Sequence, residues 1–265
     1  MRFVAALLLW GLACLAAAQT NPFPRVASAY LVQVDGATVW EKEARRHLPP
    51  ASLTKLMTAL LVLEQEHPDA RVTVSRAAAA ETGSRIGLRA GEVFLVQDLL
   101  TATLVASAND ACHALADHVA GSERQFALRM NQRARALGMQ DTHFVNACGL
   151  DTPGHYSSAR DLAVLATALL QLPQTTRITR LQEGQIATVD GTRAYAFQST
   201  NALIGRYPGA LGLKTGHTQR AGNCLVAYAQ RGGKQVLMVM LHGQDRWWDT
   251  VDILDLAFAH AGPPS

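Results

Sequence analysis

The sequence predicts an α+β fold, with one antiparallel sheet flanked by helices and a helical subdomain set against it. Three observations carry this. Residues 26–44 alternate with a period of two about Asp35-Gly36, the middle of the chain is helical in pattern, and apolar β-rich runs return after Arg177. Strands at both ends with helices between them require the N- and C-terminal segments to pair in a single sheet.

The elements follow in order. Ala29-Leu31-Gln33 and Tyr30-Val32-Val34 alternate up to Asp35-Gly36, a turn dipeptide that reaches positive φ cheaply, and Thr38-Val39-Trp40 returns as the second strand. Pro49-Pro50 stops extended structure. Ser52 to Glu64 then reads as a helix with Leu56, Ala59, Leu60 and Leu63 on one face. Asp98 to Ala106 and Asp110 to Val119 are two more helical stretches, separated by Ser107-Ala108-Asn109. Ser122 caps another, with Gln125 three residues on and an end near Gly138. Ser158-Ala159-Arg160-Asp161 opens a helix expected to stop at Pro173. Gly212–Thr215, Ala221–Gln230 and Gln235–Leu241 are strand-like, with Arg231-Gly232-Gly233-Lys234 joining the last two, and Trp247 to His260 closes the chain as a helix.

Composition excludes several functions. Of 265 residues, 49% are apolar, and 24 Lys and Arg oppose 21 Asp and Glu for a net charge of +3. Disorder needs the opposite balance, and so weak a charge gives no field for holding nucleic-acid phosphates. No G-x-G-x-x-G follows a strand and no P-loop occurs, so no cofactor is expected. No metal is expected either: H-E-x-x-H is absent, and His113 and His118, five residues apart, point to different helix faces.

Residues 1–18 read as a signal peptide: Arg2, an apolar run from Phe3 to Leu15, then Ala16-Ala17-Ala18. Gly11-Leu12-Ala13 ahead of Cys14 has Gly11 where a lipid-modification site usually has leucine, three positions upstream, so export without a lipid is the expectation. Three cysteines then remain, Cys112, Cys148 and Cys224. They are expected to be mostly small buried hydrophobes, and which pair would close in an oxidising compartment is not readable from sequence.

Three clusters carry chemistry. In Ser52-Leu53-Thr54-Lys55, positions i and i+3 share a helix face, so an amine reaches a hydroxyl. A lysine serves as base only if burial or a nearby cation makes it neutral near pH 7. In Ser107-Ala108-Asn109, between two helices, the hydroxyl can pass a proton to a leaving group and the amide can hold a substrate carbonyl or the lysine. The same S-x-N pattern recurs at Ser199-Thr200-Asn201; Ser107 is preferred for its helix–helix loop. In Lys214-Thr215-Gly216, followed by His217, a cation on a strand attracts an anionic substrate end and helps depress Lys55. Gly216 leaves room for a substrate at the strand edge.

Ser52 to Ser107 is 55 residues and Ser107 to Lys214 is 107. In this order the three motifs mark penicillin-binding proteins and class A β-lactamases. With Pro50-Ala51 before Ser52, Gly149-Leu150-Asp151, Tyr156 to Asp161 and the run Gly212 to Thr218, the chain resembles the serine D-alanyl-D-alanine carboxypeptidases. These are low-molecular-mass penicillin-binding proteins of peptidase family S11, and the likeness covers roughly residues 25 to 260.

The resemblance implies the serine β-lactamase and transpeptidase-like fold and a periplasmic or otherwise extracytoplasmic enzyme. It implies Ser52 as nucleophile, Lys55 as its base and Ser107 as proton relay. Asn109 would orient the substrate, and Lys214 and Thr215 would bind its terminal carboxylate with help from Arg246. The backbone N–H groups of Ser52 and His217 would form the oxyanion hole. The substrate would be a peptidoglycan stem peptide ending in D-Ala-D-Ala, and β-lactam antibiotics would acylate Ser52. A D,D-endopeptidase acting on cross-links is the alternative. A β-lactamase is disfavoured because Glu123 and Glu183, the glutamates between Asn109 and Lys214, do not match a water-activating position. A non-catalytic β-lactam sensor is disfavoured for want of a transmembrane relay. Residues 19–265 are expected to be a single catalytic domain, without the β-rich C-terminal domain and membrane anchor of many relatives.

Overall fold

The computed structural model describes residues 21–260. The expected signal peptide and Cys14 lie outside them. The first half of the chain comprises β1 (Ala27–Val34), β2 (Ala37–Lys42), a 3-10 turn (Ala51–Thr54), α1 (Lys55–Gln65), β3 (Arg71–Thr73), α2 (Arg76–Ala79), β4 (Val93–Leu95), α3 (Val96–Val105), α4 (Asn109–Ala120) and α5 (Glu123–Ala136). Then come α6 (Ala159–Leu170), α7 (Pro173–Thr179), β5 (Glu183–Ala187), β6 (Ala194–Gln198), β7 (Ala210–Thr218), β8 (Gly222–Arg231), β9 (Lys234–Gly243) and α8 (Trp248–His260).

The main sheet has five strands in the order β2-β1-β9-β8-β7, every pair antiparallel. Its two chain ends meet as expected: Leu31 of β1 lies opposite Val239 of β9. Along β8, β9 and most of β1 the side chains alternate between the two faces. Ala29, Leu31, Val226, Val239 and Leu241 join the larger core with Leu56, Met57 and Leu60 of α1 and Leu162 and Leu165 of α6. Tyr30, Val32, Leu225, Met238 and Met240 pack instead with Ile253, Leu254 and Ala257 of α8. Both faces are covered, which is why β8 and β9 read as continuous apolar runs rather than alternating ones. β7 is an edge strand of this sheet, and its free side meets the helical part at the 3-10 turn.

Helix caps follow the sequence: Ser122 Oγ accepts from Gln125 N, and Ser158 Oγ from Asp161 N. The region after α6 differs from expectation. The helix that Ser158 opens ends at Leu170, just short of Pro173 as expected, but Pro173 then opens a further helix, α7, as its first residue, where a missing N–H costs nothing. The strands that follow begin with a separate hairpin, β5 with β6. The cysteine expectation is also corrected. Cys112 on α4 and Cys148 are disulfide-bonded, with Cα atoms 6.0 Å apart, and among the described residues only Cys224 is free, and it is buried. The pair is 36 residues apart in sequence and spacing alone gives no hint of it.

Candidate active site

The candidate nucleophile sits on a forced turn. Ala51 has φ +49°, and Gly149, itself at φ +86°, presses on it so closely that an added Cβ would lie 1.9 Å from Ala51 O. Behind the turn runs a hydrogen-bonded chain. Val145 N donates to His155 Nδ1, so the other ring nitrogen carries the proton and donates to Thr54 Oγ1 at 2.8 Å; Thr54 in turn donates to Ala51 O at 2.8 Å. Burial lowers the His155 pKa to about 4, which keeps the ring neutral and this tautomer fixed. His155, Thr54 and Gly149 therefore hold Ser52 in place, a role only the tertiary structure reveals.

Lys55, one helical turn on, is fully buried. Its Nζ lies 3.0 Å from Ser52 Oγ, 2.7 Å from Asn109 Oδ1 and 2.7 Å from the Cys148 carbonyl. A neutral amine has two hydrogens and one lone pair. The amide and carbonyl oxygens can only accept, so they take the hydrogens, and the lone pair is left for the Ser52 proton. Burial lowers the Lys55 pKa to about 7, against the opposing pull of the Glu81 and Asp110 carboxylates. Both ends of the Asn109 amide are engaged, because its Nδ2 donates to Thr82 O at 2.6 Å. Of the two uses the sequence left open for Asn109, the structure displays the hold on the lysine.

Across from this pair, Ser107 stands at φ +59°, a left-handed conformation that costs a serine energy and is kept where geometry matters. Its hydroxyl accepts from Lys214 Nζ at 2.8 Å, and Lys214 also donates to the Thr215 carbonyl at 2.9 Å. The Lys214 pKa is driven well below its ordinary value, first by burial and then by the positive charges of Lys55 and Arg246. The sequence expected Lys214 to depress Lys55. At Lys55 burial leads, and it is Lys214 that feels its neighbour.

Gly216 lies flush on the nucleophile turn, where a Cβ would stand 3.1 Å from Ala51 Cβ and 3.2 Å from Ser52 N. His217 follows with its side chain exposed. Thr215 Oγ1 is 2.7 Å from the hydroxyl of Thr200, which belongs to the S-x-N triplet that the sequence set aside. Arg246 reaches the same strand: Nη1 donates to Gly216 O at 2.9 Å, its guanidinium stacks 4.5 Å over the Trp247 ring, and Nε is buried with no hydrogen-bond partner among the described residues. All nine residues expected at the site thus gather where β7, the 3-10 turn and the α3–α4 loop meet.

Glutamates and metal donors have ordinary explanations. Glu123 Oε1 accepts from Ala147 N at 3.0 Å and so supports the loop that carries Cys148. Glu81, outside the stretch in which the sequence looked for a water-activating acid, lies 2.5 Å from His113 Nδ1. Glu81, His113 and Glu123 each bring a donor atom within 4.8 Å of the others. The imidazole is already paired with Glu81 and 3.5 Å from Asp117, so the set is satisfied as an acid–imidazole cluster. His118 faces Glu66 on another side of α4.

A covered antiparallel sheet, a helical part across one edge strand, and Ser-x-x-Lys, Ser-x-Asn and Lys-Thr-Gly converging at the junction define the penicillin-binding-protein class of fold and site. Within it, the chain belongs to the D-alanyl-D-alanine carboxypeptidase family, peptidase S11, whose model matches residues 17–245. It is 36% identical to D-alanyl-D-alanine carboxypeptidase DacF of Bacillus subtilis over 88% of this chain and 62% of that one. DacD of Escherichia coli is likewise 36% identical, over 89% and 65%. The chain thus spans slightly under two thirds of the length of these relatives. Among solved structures, the Streptomyces K15 DD-transpeptidase superposes with a TM-score of 0.83 at 30% identity, covering 91% of this chain and 99% of that one. Penicillin-binding protein D2 from Listeria monocytogenes, in its ampicillin-bound form, gives 0.76 at 34% identity, covering 88% and 97%.

Proposed function

We propose that this protein is a serine D-alanyl-D-alanine carboxypeptidase that removes the terminal D-alanine from peptidoglycan stem peptides through an acyl-enzyme on Ser52. The observation that carries the reading is the buried Lys55 amine, with a pKa of about 7, lying 3.0 Å from the Ser52 hydroxyl. Ser52 Oγ bonds to the carbonyl carbon between the two D-alanines while its proton passes to Lys55 Nζ. The oxyanion forms against the backbone N–H groups of Ser52 and His217. The C–N bond then breaks, and Ser107 hands a proton to the departing amine and recovers one from the lysine side of the site. Lys214, Thr215 and Arg246 hold the terminal carboxylate, and Asn109 keeps Lys55 aimed. Water then releases the acyl group by the same proton path in reverse. No cofactor enters the scheme.

A β-lactam presents the same kind of carbonyl, and the ampicillin-bound Listeria relative supports Ser52 as its target. Residues 19–265 supply the catalytic unit, and residues 1–18 direct export to an extracytoplasmic space such as a periplasm. The Cys112–Cys148 disulfide supports that location, since such bonds persist in oxidising compartments. No helix among the described residues is long and apolar enough to cross a membrane. The test is intact-mass analysis after adding penicillin, together with D-alanine release from a D-Ala-D-Ala peptide. Wild type should carry one long-lived adduct and release D-alanine, whereas Ser52→Ala should do neither. D-alanine release by Ser52→Ala at the wild-type rate would end this reading.

A further inference from the structure

Ser199-Thr200-Asn201 repeats the S-x-N pattern of the site, yet the scheme above gives it no part. The structure brings it to the same place. The triplet lies between β6 and β7 and is pinned on both sides: Ser199 N donates to Gln182 O at 2.7 Å, and Thr200 N donates to Val105 O at 3.1 Å. Val105 ends α3, two residues before Ser107. Within the triplet Ser199 Oγ accepts from Asn201 N, and Asn201 Oδ1 accepts from Leu203 N. These bonds fix the position of the Thr200 side chain, whose hydroxyl lies 2.7 Å from Thr215 Oγ1.

Two hydroxyls at that distance share one proton and keep the other. One of them donates within the pair, and the second hydroxyl hydrogen must find an acceptor elsewhere. Thr215 is only 5% exposed, whereas Thr200 is exposed. The other acceptor near Thr200 is the Val105 carbonyl at 3.4 Å, a long contact. With so long a bond as the competing acceptor, the pair can turn one O–H to a ligand on this strand, which also carries Lys214 Nζ and the Gly216 carbonyl that Arg246 binds. An anionic oxygen there satisfies the spare hydrogen, whereas an ester or amide end meets it with a weaker acceptor.

From this geometry we infer that Thr200 is a specificity-determining residue of the site, forming with Thr215 a two-hydroxyl grip that selects acyl donors ending in a free carboxylate. The inference rests on the proposed acyl-enzyme chemistry at Ser52 and adds a residue to it. Its loss should weaken recognition of the acid while leaving the reaction of the carbonyl itself intact.

The experiment compares the acylation rate of a penicillin with that of its methyl ester, read by intact mass on the full chain for wild type, Thr200→Val, Thr200→Ser and Thr215→Val. Acylation rates are read on the reactive molecules only, so a partly unfolded variant still reports. Thr200→Val, which keeps the shape and removes the hydroxyl, should lower the rate with the acid about tenfold, the size of one hydrogen bond to a charged group. The ester rate should change less than about twofold, and Thr200→Ser should restore the acid. In a Thr215→Val background, Thr200→Val should cost less than it does alone, because the two hydroxyls act as a unit. An equal loss on acid and ester, or an unchanged acid rate, overturns the inference. A wild type that forms no adduct with either compound overturns the underlying reading instead.

Discussion

Two fully buried lysines stand on opposite sides of this site, and their surroundings differ in one respect. Lys55 is surrounded by neutral acceptors and lies within the field of the Glu81 and Asp110 carboxylates, which pull against burial and leave its pKa at about 7. Lys214 has no such counterweight. Burial is joined there by the charges of Lys55 and Arg246, and all three loosen its proton. The first environment is complete without substrate and suits a base that must be neutral yet recover its proton. The second lacks an anion, and in the proposed scheme a substrate carboxylate completes it. In the proposed scheme, catalysis and recognition are thus divided between the helical side and the strand side by where the protein supplies negative charge.

The division breaks most severely if the base cannot lose its proton. Lys55→Arg keeps the charge and much of the length, but a guanidinium stays protonated. Acylation of Ser52 by penicillin should fall by about 10³-fold, within the range for loss of a general base. A variant that still acylates within tenfold of wild type would remove the lysine from the mechanism. The second break concerns how the helical side is held. The Cys112–Cys148 bond ties α4, one turn after Asn109, to the residue whose carbonyl accepts from Lys55. It closes a 36-residue separation. Cys112→Ser with Cys148→Ser should therefore cost roughly 4 kcal/mol in chemical denaturation and slow acylation at any pH. Stability equal to wild type would mean that the bond does not form in the isolated protein.

Most of the fold was legible because it rests on short-range signals. Asp35-Gly36, the Ser122 and Ser158 caps and the apolar runs of β8 and β9 each act through neighbours in sequence. The three motifs of the candidate site were legible for the same reason: the roles proposed for them are written in residue type and short spacing. What was hidden depends on long-range contact. Pro173 can stop one helix or open the next and its type alone does not choose, while Cys112 finds Cys148 only once α4 lies against the loop. His155 reaches Thr54 across 101 residues, and Gly149 is needed only because Ala51 O passes beneath it. Thr200 is the instructive miss. Its motif was seen and set aside, since nothing local distinguishes a loop that caps itself from one that delivers a hydroxyl to Thr215.

The smallest expected effect is the one that separates the two lysines by pH. The folded Lys55 pKa of about 7 lies below its ordinary 10.5, so the neutral base accumulates as pH rises through 7. About a tenth of the sites are competent at pH 6 and about nine tenths at pH 8, so the penicillin acylation rate should rise about tenfold between them. Stability linked to the same group has a matching sign. Between about 7 and 10.5 the unfolded chain binds a proton that the folded one does not, so the lysine's contribution improves as pH rises across that window and is least favourable below it. Lys214 predicts the converse on binding: an acid ligand supplies its missing anion, raises its pKa and draws a proton from solution. Calorimetry of a carboxylate-terminated, non-reacting peptide in two buffers of different ionisation enthalpy, repeated over a series of pH values, should detect that uptake. Equal heats in both buffers would mean that Lys214 already carries its proton, and that the two environments differ less than their neighbours imply.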